Sequence, residues 1–289
     1  MKIMIRALLL LICGILLQLP AFAQLQLPQA SPKAKVSQIV GLTEVTVDYH
    51  APGVKGRKIW GEIVPYNELW RAGANEATTV SFEDDVTVNG ERVPAGKYSL
   101  FTVPLNDSSW YVILNTDTAL WGTENYDELN DVVRSKVQPQ KAPFQETLVY
   151  SFNNIKTGSA DLILAWENIR IPMHIETDVR AKAMANMKKA IEKATSDDWL
   201  LFAQCANYLV QNNIQHEQAL LWINKSLEIQ ETFYNNWVKA QLLAQKNEYQ
   251  LAIEYTKKAM KLGESDSDVY KTYASQIENS YNLWRKKRF

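Results

Sequence analysis

Cysteine and histidine are scarce in this chain: two Cys and three His occur in 289 residues. The histidines, His50, His174 and His216, lie on three distant stretches, so no His/Cys spacing suits a zinc site. No signature loop gathers carboxylates for calcium either, and the sequence implies neither a metal nor a cofactor. A Gly-x-Ser-x-Gly elbow is also missing, which removes the simplest serine-hydrolase reading. Cys205 falls on an apolar helical stretch, where it reads as a small buried hydrophobe and not as a nucleophile. Charge of one sign is lacking too. Thirty-one Lys and Arg stand against 32 Asp and Glu, a formal net charge of -1, and nucleic acid is excluded as the expected partner.

Long apolar runs are limited to one near the start. Lys2 and Arg6 precede an apolar run from Ala7 to Leu17, and Ala21, Phe22 and Ala23 close it before Gln24. A span would need about 20 apolar residues, whereas a charged n-region, a short h-region and an A-x-A site describe a secretory leader. The expectation is a signal peptide over residues 1–23 and a mature protein in the periplasm or envelope of a bacterium, with no membrane span after cleavage. Cys13 follows Leu11 and Ile12 and not small residues, which argues against a lipoprotein. Removing Lys2 and Arg6 from the 31 basic residues leaves 29 against 32 acidic, a charge of -3. Cys205 then stands alone, so no intramolecular disulfide forms and the core must stabilise the protein.

Glycine and proline divide what remains. Up to about Glu176 the chain is β-rich and punctuated by Gly, Pro, Asn and Asp; beyond Asp178 Gly and Pro nearly vanish and the period becomes helical. Two domains are expected, residues 24–176 and 177–289. In the first, Val45, Val47 and Tyr49 alternate inward against Thr46 and Asp48. Asn89-Gly90, between Val86–Val88 and Glu91–Val93, signals a type I′ hairpin, since both central residues of that turn need positive φ. Further short strands follow at Lys97–Pro104, Trp110–Asn115, Val132–Val137, Glu146–Asn153, Asp161–Trp166 and Ile169–Ile175. About ten such strands predict an antiparallel β-sandwich.

In the second domain, helices are expected at Val179–Ala194, Trp199–Gln211, His216–Ile229, Trp237–Lys246 and Glu248–Leu262. Thr177 or Asp178 would cap the first and Ser196 or Asp197 the second. Ala219, Leu220 and Leu227 recur 33 residues later as Ala252, Ile253 and Met260, near the 34-residue period of tetratricopeptide repeats. Ser226 stands where that repeat usually has Ala, and Glu264 where it has Pro. A last helix with Val269, Tyr273, Ile277, Tyr281 and Trp284 on one side would cap the array. Arg285 to Arg288 favour a helix C-terminus. These readings predict a β-sandwich followed by a tetratricopeptide-like array that offers a protein partner its surface.

The most unusual stretch runs from Tyr49 to Glu76, where Gly and Pro break regular structure while Trp60, Trp70, Lys55, Arg57, Lys58 and Arg71 crowd one long loop. A packed apolar plug is the leading reading of Trp60 and Trp70, ahead of a ligand platform. Asp48, Glu62, Glu68 and Glu76 lie near enough to neutralise the bases. An Arg71–Glu76 pair makes the loop a structural clasp; unpaired Arg groups in a cleft make it a site for a small polar or anionic ligand. The candidate ligand-binding set is Arg57, Trp60, Trp70, Arg71, Asn75 and Glu76, with Gly73 expected to turn the backbone through positive φ. Asp48 and Glu76 are the carboxylate pair to consider for catalysis.

The first domain resembles the exported bacterial family known as domain of unknown function 2911. Ser31, Pro32 and Ala34, then Val36 to Tyr49 with Gly41, Leu42 and Thr43, carry the likeness. So do Val54 to Gly61, Pro65, Tyr66, Trp70 to Glu76, and Pro94, Ala95, Gly96 and Tyr98. It covers about residues 30–176, and the helical tail is similar to that of some members. Relatives often have Ser and Arg where His50 and Ala51 stand here, so the resemblance gives His50 no role. It implies fold and export and no activity. Three functional readings follow: a non-enzymatic envelope binding module, a hydrolase acting on envelope glycans or peptides, and a purely structural protein.

Overall fold

A computed structural model describes residues 27–106, 109–264 and 267–287 of the chain. The expected leader and Gln24 lie outside the described residues, as do Arg288 and Phe289. The chain divides into two compact units between Thr177 and Asp178. Antiparallel sheets form the first and six helices the second.

Ten strands build the first unit: β1 (Lys33–Val40), β2 (Thr43–His50), β3 (Thr79–Phe82), β4 (Val86–Val88), β5 (Glu91–Val93), β6 (Gly96–Pro104), β7 (Trp110–Asn115), β8 (Asp131–Val137), β9 (Gln140–Asn153) and β10 (Ser159–Thr177). They pair as a six-stranded sheet, β1-β2-β3-β6-β7-β8, and a four-stranded sheet, β5-β4-β10-β9. The period-2 reading holds on β2, where Val45, Val47 and Tyr49 are buried. At the β4–β5 turn Asn89 and Gly90 have φ of 51° and 86°, the geometry that Asn-Gly was expected to supply. One apolar cluster takes residues from both sheets, and Tyr49 meets Tyr150 edge-on across it with ring centroids 4.8 Å apart. A smaller cluster lies on the outer side of the large sheet, where Leu120 and Tyr126 cover Phe101 and Ile113.

The expected strands Asp161–Trp166 and Ile169–Ile175 are one strand, β10. Its register against β9 shifts on both sides of Glu167, which takes a left-handed φ of 53°. A bulge of this kind bends a strand without ending it. The bend lets β10 pair with β9 through Asp161–Arg170 and with β4 through Ile175–Thr177. Its last amide, Thr177 N–H, returns to the Gly158 carbonyl at 2.8 Å.

The second unit consists of α1 (Val179–Ile191), α2 (Trp199–Gln211), α3 (His216–Ile229), α4 (Phe233–Gln245), α5 (Tyr249–Gly263) and α6 (Ser267–Lys286). Asp178 caps α1 by accepting from the Ala181 amide at 2.9 Å. The cap residue of α2 is Asp198 and not Ser196 or Asp197; its carboxylate accepts from the Thr195 amide and hydroxyl and closes the preceding turn. α4 begins a turn before the expected Trp237, because Thr232 and Asn235 form a reciprocal capping box. On α6 Val269 is exposed. Tyr270 takes the inward place and meets Phe233 at 5.4 Å, while Trp284 stacks on Trp237 at 5.7 Å. No helix of the described residues is long and apolar enough to cross a membrane.

The 33-residue recurrence has a packing basis. Ala219 and Ala252 are both fully buried, and Ser226 and Ala259, also 33 apart, share that burial. Ser226 uses its hydroxyl: it donates to the Trp199 carbonyl at 2.8 Å and accepts from the Asn235 amide at 3.0 Å. Ser226→Ala is therefore expected to destabilise the helical unit by about 1–3 kcal/mol, the usual effect of stranding a buried polar partner. Urea denaturation followed by circular dichroism checks this; an unchanged midpoint would show that Asn235 is satisfied by its second bond, to the Gln230 carbonyl.

Candidate functional site

The loop between β2 and β3 is held at four places, and each explains one cluster of its unusual residues. First, Pro52 to Lys55 run beside β9: the Val54 amide donates to the Glu146 carbonyl at 2.7 Å and the Leu148 amide to the Pro52 carbonyl at 2.9 Å. A Cβ on Gly53 would lie 3.1 Å from the Glu146 carboxylate, so a larger residue here would make that side chain give way by a few tenths of an ångström. Second, Lys55 and Gly56 turn the chain with φ of 51° and 69°. The Arg57 guanidinium closes that turn by donating to the Gly53 and Val54 carbonyls at 2.7 and 3.1 Å. Arg57 is thus an exposed staple engaged with its own loop.

Third, Trp60 and Trp70 enter the core. They are 5% and 8% exposed and join Trp110 and Trp166 in a cluster: Trp60 meets Trp70, Trp110 and Trp166 at 5.7, 4.7 and 6.0 Å, and Trp70 stacks on Trp166 at 5.9 Å. The apolar plug is what forms, and neither ring face is an open platform. Trp70 also exchanges both backbone hydrogen bonds with Thr102 of β6, each 2.8 Å.

Fourth, Arg71 to Thr78 wrap the end of β2. The Ala72 carbonyl accepts from the Thr78 hydroxyl at 2.9 Å and from the Tyr150 hydroxyl at 2.8 Å. Burial pushes the Tyr150 phenol well above its ordinary pKa, so it remains a donor here. The left-handed residues are Ala72 and Asn75, with φ of 52° and 57°, and not Gly73 as expected. Gly73 is required for space instead: a Cβ there would sit 2.7 Å from the Thr78 hydroxyl and 3.3 Å from the His50 carbonyl.

This wrap brings Ser31, His50, Arg71, Asn75 and Glu76 to one corner. Asn75 donates to the Ser31 carbonyl at 3.5 Å. Glu76 does not pair with Arg71: its partner is the buried His50, Nδ1 to Oε2 at 3.3 Å. The clasp through Arg71–Glu76 is therefore not formed. The Arg71 side chain makes no hydrogen bond or ion pair with any described residue, and its Nε is buried without a partner among them. Burial pulls the guanidinium below its ordinary pKa, yet a group that starts so high stays charged. Asp48 lies on the outward side of β2, opposite Lys35 and Thr79.

His50 is the corner residue that sequence reasoning set aside. Its signal was available in hindsight only as parity: it follows Asp48 by two on a strand whose end the loop covers.

A second histidine–carboxylate pair lies on the small sheet. His174 Nδ1 sits 2.7 Å from Asp161, whose other oxygen accepts from Asn154 at 2.7 Å. Asp161, with Gln140, Asn153, Asn154 and Arg170, lines a polar hollow in the bent β9–β10 ribbon. Burial raises the Asp161 pKa, but the bonds from Asn154 and His174 outweigh it and the net shift is downward. A depressed folded pKa contributes stability above the unfolded value of about 3.9 and loses it as pH falls through the folded one. Asp161→Asn is accordingly expected to flatten the acid limb of the stability–pH profile below about pH 4. Thermal melts from pH 2 to 7 measure this; a limb as steep as wild type would refute it.

The family model described as "Protein of unknown function (DUF2911)" matches residues 31–175. The chain belongs to this family. The DUF2911 segment coincides with the ten strands and contains the whole corner, from Ser31 to Glu76 and Tyr150. The helices lie outside it. No curated protein and no solved structure matches the chain.

Proposed function

We propose that the protein is a non-enzymatic binding module of the bacterial cell envelope, exported by its leader, in which the Arg71–Glu76 corner takes a small polar or anionic ligand. The helices supply a surface for a protein partner. The observation that carries this reading is Arg71: a half-buried residue whose guanidinium has no hydrogen-bond or ion-pair partner among the described residues, next in the chain to a tryptophan of the core. Leaving such a group unmatched is unfavourable for folding, and small ligands are commonly oriented by a few such polar groups beside an apolar wall.

Stability and binding test it in opposite directions. Arg71→Met removes an unmatched buried charge and keeps most of the volume, so its melting midpoint is expected to equal or exceed that of wild type, while ligand-induced thermal shifts disappear. The ligand screen uses envelope glycans, peptides and small anions. A loss of about 3 kcal/mol or more in Arg71→Met, the signature of breaking a buried ion pair, would make Arg71 structural and defeat the proposal. Export is checked by fractionating the native host and sequencing the mature N-terminus, expected at Gln24.

A further inference from the structure

Residues 116–130 join β7 to β8 and close on themselves: the Thr116 amide donates to the Asn130 carbonyl at 3.0 Å, and the Asn115 side chain donates to the Asp127 carbonyl at 2.9 Å. A surface loop with bonded ends and apolar packing of its own is of the Ω type, which is often functional. Leu120 and Tyr126 turn inward onto Phe101 and Ile113. Trp121 and Leu129 do not: they are 67% and 87% exposed. The stretch around them holds four acids, Asp117, Glu124, Asp127 and Glu128, and no Lys or Arg. An ordered loop that holds a tryptophan out in water has the make-up of an interface anchor.

The opposite chemistry lies in the helical unit. α1 and α3 flank a groove of about 560 Å³ whose apolar lining is Met184, Ile191 and Trp222, with Ala185, Lys188 and Glu192 beside them. That volume is in the range that takes a small molecule or a few side chains. Residues 179–193 carry five bases, Arg180, Lys182, Lys188, Lys189 and Lys193, against the single acid Glu192. The α1 wall is therefore positive.

We infer that copies of this chain associate through these two surfaces, the 116–130 loop of one copy entering the α1–α3 groove of another. Trp121 and Leu129 cover Met184, Ile191 and Trp222, and the loop carboxylates face the bases of α1. Both sides fix the occupant: a basic segment would meet the bases of α1, and a polar one would leave the apolar lining in water. Lys188 and Lys189 also suit the last turn of a helix, a local account that forecasts no association. Loop and groove are different surfaces, so the contact is heterologous; used reciprocally it closes a dimer, and used once per copy it grows a chain. The inference names the partner for the helices of the proposed function and rests on that part of the reading, not on the corner at Arg71.

Sedimentation velocity of the protein as its host processes it, from micromolar to millimolar concentration, is the test. A reversible shift to a dimer or larger species is expected, weakened by added sodium chloride because salt screens the charges. Trp121→Ala is expected to weaken association about tenfold or more, the scale of an interface anchor. Ala185→Arg fills the groove from an exposed position without lowering its charge, and is expected to weaken it as much. Circular dichroism checks that both variants fold. The deciding measurement mixes them: Trp121→Ala keeps an intact groove and Ala185→Arg an intact loop, so the mixture is expected to form a complex that neither forms alone. A single monomeric species at every concentration overturns the self-association; the helices then await a foreign partner, and the corner is judged separately by Arg71→Met. Association that survives both substitutions, or a mixture that stays monomeric, overturns the loop-in-groove contact.

Discussion

Trp166→Ala is expected to destabilise the β-unit by about 3–5 kcal/mol, the range for removing a large buried aromatic. Trp166 is 1% exposed and contacts two loop tryptophans, Trp60 at 6.0 Å and Trp70 at 5.9 Å. It also precedes Glu167, the residue about which β10 bends. Its removal therefore loosens both the core and the anchorage of the 49–76 loop. For a unit of this size each kcal/mol moves the midpoint by roughly 2–4 °C, so a fall on the order of 10 °C is the expected reading. Urea denaturation followed by circular dichroism separates the units. The β-transition should shift to lower denaturant and the helical one should stay. If both move together, the two units unfold as one and the Thr177/Asp178 boundary has no thermodynamic meaning.

Gly73→Val is expected to have the second-largest effect, about 2–4 kcal/mol, as overpacking joined to a lost hydrogen bond. The first atom of any side chain would lie 2.7 Å from the Thr78 hydroxyl, which donates to the Ala72 carbonyl, and 3.3 Å from a backbone oxygen that cannot rotate away. Relief must come from moving the 71–78 segment, and Arg71, Asn75 and Glu76 move with it. The decisive measurement is a double-mutant cycle with the milder Gly73→Ala and with Thr78→Ala. Because Thr78 supplies the closest contact, the double variant is expected to be more stable than additivity predicts, by about 0.5–3 kcal/mol. Strict additivity would place the strain at the His50 carbonyl alone. Loss of ligand-induced thermal shifts in Gly73→Ala, with Arg71 intact, would show that the corner's geometry and not only its charge is required.

Some of the corner was legible before any coordinates. Trp60 and Trp70 sit outside regular strands in a loop too long to order itself, and an apolar plug was the expected outcome. Other parts were not. Arg71 and Glu76 are five residues apart with opposite charge, and nothing local forbids their pairing. The structure gives Glu76 to His50, 26 residues away in sequence, because the wrap lays residues 71–78 over the end of β2. Arg57 carries the same formal charge as Arg71 but closes a turn on the Gly53 and Val54 carbonyls, a fate set by the left-handed pair Lys55-Gly56.

The sequence by itself determined whatever depends on neighbours within a few residues. Alternation on β2, the Asn-Gly turn, the Asp178 cap and the change from β to α near residue 177 all follow from local sterics and periodicity, which any surroundings would preserve. Only the tertiary structure decided which of several equivalent charges is left without a partner, which glycine is needed for space and not for φ, and where β10 bends and does not stop. Those outcomes depend on what distant strands bring within 3 or 4 Å, and a long-range contact leaves no period in the chain for a reader to find.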